Sequence, residues 1–108
     1  MPTTEHGQLF LRLYANAIRC LNQAAEAWQI DRAENALGAL RQAVEILREL
    51  DAGVDLPSGR QTAADLHRIY GFLIEQIDRV EKTGDLFLLR EITGLLEELH
   101  LSWKAITC

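Results

Sequence analysis

Cysteine is scarce in this 108-residue sequence, which has only Cys20 and Cys108. Two thiols so far apart in sequence make no disulfide framework. They read as reduced cysteines, Cys20 partly packed and Cys108 on a loose tail. Basic charge is also in short supply. Eleven Lys and Arg stand against 16 Asp and Glu, for a formal net charge of −5. Nucleic acid and anionic membranes both demand a basic face, so neither is an expected partner. No apolar run approaches the roughly 20 residues of a membrane span. The opening "MPTTEHGQLF" lacks the basic region and apolar core of a signal peptide. The expectation is a cytoplasmic protein with no membrane insertion.

The residues that build metal and catalytic sites are equally sparse. His6, His67 and His100 lie on three different segments, and none has a second His or Cys at the i+3 or i+4 spacing of a helical metal site. Glu97 and His100 form a single Glu-x-x-His, whereas a bundle di-iron site needs that pair twice plus two further glutamates facing the core. All three histidines therefore read as surface or flank residues. The one glycine in "LPSGRQT" makes no phosphate loop, and neither Ser58 nor Ser102 has a base placed by sequence. No metal, no cofactor and no enzymatic activity are expected.

What the sequence does contain is helical periodicity, with no stretch alternating at period two. A single domain spanning 1–108 is expected, with helices at about 8–29, 31–50, 62–82 and 85–106. The first carries a broad apolar arc from Phe10 through Tyr14, Ala17 and Leu21 to Trp28, which implies contact with more than one neighbour. "DRAE" places Asp31 as cap of the second helix, with Glu34 reaching back. Ala36, Ala39 and Ala43 would let a partner helix approach closely. "DAGVDLPSGR", the only stretch rich in Gly and Pro, is the one real loop. Gly84 suits a left-handed helix end, and Asp85 is placed to cap the fourth helix. Short connections make helices one and two, and three and four, antiparallel neighbours. The fold class is all-α, an antiparallel four-helix bundle.

With these cores assigned, several apolar residues are left outside. Phe72 points away from the stripe Leu66, Ile69, Tyr70, Leu73, Ile77 and Val80. Phe87 and Leu101 fall on the far face of helix four, with Gly94 midway between them and Ala105 beside Leu101. Leu11 and Ile46 sit at the margins of their arcs. Single exposed apolar residues are ordinary. A stripe with a glycine notch is a better sign of a groove for a partner helix, which needs apolar walls and a low floor. Tyr70 and Trp103 are assigned to structure, each with a polar tip free to turn outward.

Four segments in register carry a family resemblance. They are Leu13-Tyr14 leading to Ala17-Ile18-Arg19, Glu49-Leu50-Asp51 with Val54-Asp55, Gly59 through Ala64 and Leu66 to Ile69-Tyr70, and Glu98-Leu99 to Trp103. Together they resemble the FliS-type flagellar export chaperones over about Gln8 to Ile106. One departure is Ala15-Asn16, where family members commonly carry Asp-Gly. The resemblance implies an antiparallel helical bundle. It also implies binding of the disordered C-terminal segment of flagellin, which prevents premature polymerisation and presents the client to export-gate components. On this reading Phe72, Phe87, Gly94, Leu101, Ala105, Leu11 and Ile46 are the partner-binding candidates. The alternative is a regulatory or adaptor bundle that binds a folded partner, or forms a weak homo-oligomer, through the same stripe.

Overall fold

The computed structural model describes residues 5–53 and 60–107. Most of the expected loop "DAGVDLPSGR" lies outside the described residues, as do Cys108 and the side chains of His6 and Ile106. Four helices follow one another: α1 (Glu5–Gln29), α2 (Ala33–Ala52), α3 (Arg60–Thr83) and α4 (Leu86–Thr107). No strand occurs among the described residues. α1 packs on α2 and α4, and α3 packs on the same two, so α1 faces α3 and α2 faces α4 across diagonals. The expected antiparallel four-helix bundle is the architecture found. It is elongated, 45 × 25 × 19 Å.

The turn between α1 and α2 corrects one expectation. Asp31 does not cap α2; its φ is +60°, a left-handed conformation that closes α1. The Arg32 N–H donates to the Ala27 carbonyl at 2.8 Å and the Asp31 N–H to the Trp28 carbonyl at 3.2 Å. That is the pair of bonds by which a left-handed residue satisfies the last carbonyls of a helix. Aspartate tolerates this conformation better than most side-chain-bearing residues. Arg32 then becomes the N-cap of α2, with no side-chain cap bond. The reading failed because one three-residue connection has to end one helix and begin the next, and the ending took Asp31.

The α3–α4 turn follows the sequence closely. Gly84 has φ +66° and donates its N–H to the Val80 carbonyl at 2.7 Å. The Asp85 carboxylate accepts the Leu88 N–H at 3.1 Å, capping α4. Trp28, at the end of α1, lies against this turn.

The core is filled by large residues from all four helices, among them Leu21, Leu40, Leu47, Leu50, Leu73, Ile77, Leu89 and Leu96, all fully buried. Each such side chain contributes roughly 1.5–3 kcal/mol relative to an exposed one. Between α1 and α2 the contact is made largely by small residues. Ala17, Ala24, Ala36 and Ala43 are all fully buried, which allows close approach. Cys20 is buried outright rather than partly packed, and burial raises its thiol pKa against the opposing effect of Arg19. Thr93 is buried too, its hydroxyl returning to the Leu89 carbonyl at 2.8 Å.

Candidate partner-binding surface

On α4, residues 87, 94 and 101 are seven apart, so each falls within about 20° of the last at 100° per residue. They form one line along the outer face, opposite the buried Leu89, Ile92 and Leu96. Phe87 is 73% exposed and Leu101 64%. Ala105 is exposed beyond Leu101, and Gly94 is partly exposed. A Cβ placed on Gly94 would meet nothing within 4 Å, so internal packing does not call for a glycine there. Glycine inside a helix costs roughly 0.5–1 kcal/mol relative to alanine. The notch therefore carries a local cost that no close packing against it among the described residues offsets.

Phe72 is 52% exposed. Its neighbour Ile74 faces α2, where it shares a depression with Val44. Two residues apart on a helix means about 200°, so Phe72 lies on the opposite flank of α3, towards α4. Phe72 thus stands on α3, on a different helix from Phe87, Gly94, Leu101 and Ala105, which share the outer face of α4. Leu11 is half-buried on α1. Ile46 is separate: it packs against the core and lines a depression between α1 and α2, and α2 is diagonal to α4. Two exposed apolar residues escaped the sequence reading, Leu9 at 50% and Ile30 at 64%. Leu9 was hidden by its neighbour Phe10, and Ile30 falls just past the last turn of α1, where helical periodicity carries no information.

Behind this face lies an aromatic cluster. The Tyr14 and Tyr70 hydroxyls are 2.6 Å apart, and the Trp103 indole N–H donates to the Tyr14 hydroxyl at 3.1 Å. Phe10 meets both Tyr14 and Trp103 edge to face. His100 stacks on the Tyr14 ring with an 8° interplanar angle. The polar tips of Tyr70 and Trp103, which the sequence leaves free to turn outward, therefore turn inward. Each finds a partner inside the bundle, so neither needs water. Burial pushes both phenols above their ordinary pKa, and both stay neutral. Burial, with a smaller contribution from the Lys104 charge, lowers the His100 pKa.

His67 is exposed and pairs with Asp51 of α2. No group of three His, Cys, Asp or Glu able to hold a metal occurs among the described residues. No helix among the described residues is long and apolar enough to cross a membrane. A depression of about 530 Å³ between α2 and α3 is lined by Val44 and Ile74 together with charged residues of both helices. It is unlike the uncharged α4 line.

The family model for the flagellar protein FliS matches residues 1–107. This chain belongs to the FliS family. It is similar to the flagellar secretion chaperone FliS of Salmonella typhimurium, 30% identical over 70 residues, covering 64% of this chain and 52% of that protein. It is similar also to the flagellar secretion chaperone FliSB of Pseudomonas aeruginosa, 25% identical over 100 residues, covering 93% of this chain and 79% of that protein. The match thus spans about half the length of the Salmonella relative. Within this FliS-family chain, three aromatic residues that carry the resemblance in sequence, Tyr14, Tyr70 and Trp103, are the three joined by hydrogen bonds in the bundle.

Proposed function

We propose that this FliS-family protein is a cytosolic flagellar secretion chaperone that binds the disordered C-terminal segment of flagellin along the outer face of α4. The observation that carries the reading is the exposed line Phe87–Gly94–Leu101, which the bundle does not use for its own packing. A helix of the client laid on this line would bury both large side chains and bring its backbone close over the glycine. Covering the client's own apolar residues keeps it from polymerising early and leaves it fit for presentation to the export gate. Ordering a long segment costs free energy, so the affinity stays moderate and release remains possible.

The test is calorimetric titration of the full chain with the C-terminal segment of flagellin from the same organism, with circular dichroism on the same samples. The expected result is one-to-one binding, a negative heat-capacity change and a gain of helix signal. Absence of heat and of helix gain, with the protein folded, would sink the reading.

A further inference from the structure

The last turns of α4 are held differently from the rest of the bundle. Leu89, Ile92, Thr93 and Leu96 are buried, whereas of the described residues from Glu97 to Ala105 none is. Three half-buried side chains, Leu99, His100 and Trp103, attach this stretch to its neighbours. Two of the three meet the same residue of α1. His100 lies parallel to the Tyr14 ring, with centroids 5.8 Å apart, and the Trp103 N–H donates to the Tyr14 hydroxyl at 3.1 Å. Segments with few buried contacts open at lower cost than the whole molecule. An attachment made by so few side chains is sensitive to each of them.

His100 is the member whose charge can change near neutral pH. Facing it, α1 offers the phenol of Tyr14, and the Tyr70 phenol of α3 lies behind. Burial holds both phenols neutral, so neither can balance a cation by ionising. Lys104, on α4 itself, sets a like charge on the ring. The Tyr14 face attracts a cation, but a separation of 5.8 Å is close to the limit of about 6 Å at which that attraction counts. Outside the bundle the balance reverses. Glu97, three residues back and on a neighbouring part of the helix surface, is exposed. A charged ring that turns out gains both water and an opposite charge.

We propose that His100 is a proton-operated latch: protonation withdraws its ring from Tyr14 and frees the end of α4, from Glu97 onward, while the rest of the bundle stays folded. Leu101 and Ala105 move with this end, so the far part of the apolar line on α4 loses its fixed position. The latch itself does not depend on what binds that line.

The experiment is nitrogen-15 relaxation of the full chain as pH is lowered from about 7.5, with the ring signals of His100 followed in the same samples until the ring is protonated. Order parameters of residues 97–105 should fall from about 0.85 to below about 0.6, while those of α1, α2 and the first half of α4 stay near about 0.85. The midpoint should lie below about 6.5, since burial and then Lys104 disfavour the charged ring. Raising the pH again should restore the parent values. His100→Phe keeps an aromatic ring that cannot be charged and should hold the end of α4 throughout the titration. His100→Gln supplies a second variant, neutral and without a ring, whose α4 end should be equally ordered at both ends of the range. Unchanged order in the parent after the ring protonates, the same fall in a folded variant, or loosening of all four helices together would overturn the proposal.

Discussion

The Tyr14 hydroxyl lies 2.6 Å from the Tyr70 hydroxyl across the α1–α3 diagonal, in a bundle where those two helices otherwise stand apart. Both side chains are fully buried. The Tyr14 oxygen also accepts the Trp103 N–H, so this one atom ties α1 to α3 and to α4. A polar group in a core is costly unless satisfied, and here each of the three satisfies another.

Tyr14 and Tyr70 should therefore respond unequally to loss of the hydroxyl. Tyr14→Phe strips a partner from both Tyr70 and Trp103 and should cost about 2–4 kcal/mol, roughly 1–3 for the buried Tyr70 hydroxyl left unsatisfied and roughly 1 for the lost Trp103 bond. Tyr70→Phe leaves Tyr14 still bonded to Trp103 and should cost about 1–2 kcal/mol. Urea denaturation of both variants and of the double variant checks this. Equal losses for the two single changes would show that the shared atom is not the centre of the cluster.

Asp31 supplies a test by sign. In its left-handed position, Asp31→Gly relieves backbone strain and should stabilise the protein by about 0.5–1 kcal/mol. An aspartate acting as an N-cap would lose stability on the same change. Thermal denaturation distinguishes the two, and a lowered melting temperature would contradict the observed turn.

The pH dependence of stability should carry a contribution from His100. Its folded-state pKa lies below the ordinary histidine value because burial, and then Lys104, disfavour the charged form. The folded state thus prefers the neutral ring. This contribution is fully present above the unfolded pKa of about 6.5 and is lost as pH falls through that value towards the folded one. Denaturation at about pH 7.5 and pH 5 should show a smaller acid loss in His100→Gln than in the parent. Identical losses would remove His100 from the account.

On α4 the two halves of the line should separate stability from binding. Gly94→Ala adds a Cβ that meets nothing within 4 Å, and should raise stability by about 0.5–1 kcal/mol. Leu101→Asp, at a 64% exposed position, should change stability by no more than about 0.5 kcal/mol while weakening binding of the flagellin segment. Melting curves and calorimetry on the same preparations read both quantities. A large stability loss in Leu101→Asp would place that side chain in the core.

The α4 line was legible because a residue seven positions on returns to nearly the same face of any straight helix. Phe87, Gly94 and Leu101 share a side whatever the helix packs against. The end of α3 was legible for a similar reason: Gly84 adopts a left-handed turn at little steric cost, and Asp85 can cap the helix that follows. Periodicity and turn chemistry are local, and they determined the helices, their apolar stripes and the all-α class. What they do not contain is the relation between stripes. Which tyrosine would meet which, 56 positions apart, depended on the diagonal placement of α1 and α3. The inward turn of Tyr70 and Trp103 followed from that meeting, since a hydroxyl already on the diagonal removes any reason to seek water. The closing of α1 by Asp31 is of the same kind. It arises where two helices compete for a residue, and no single helix carries that information.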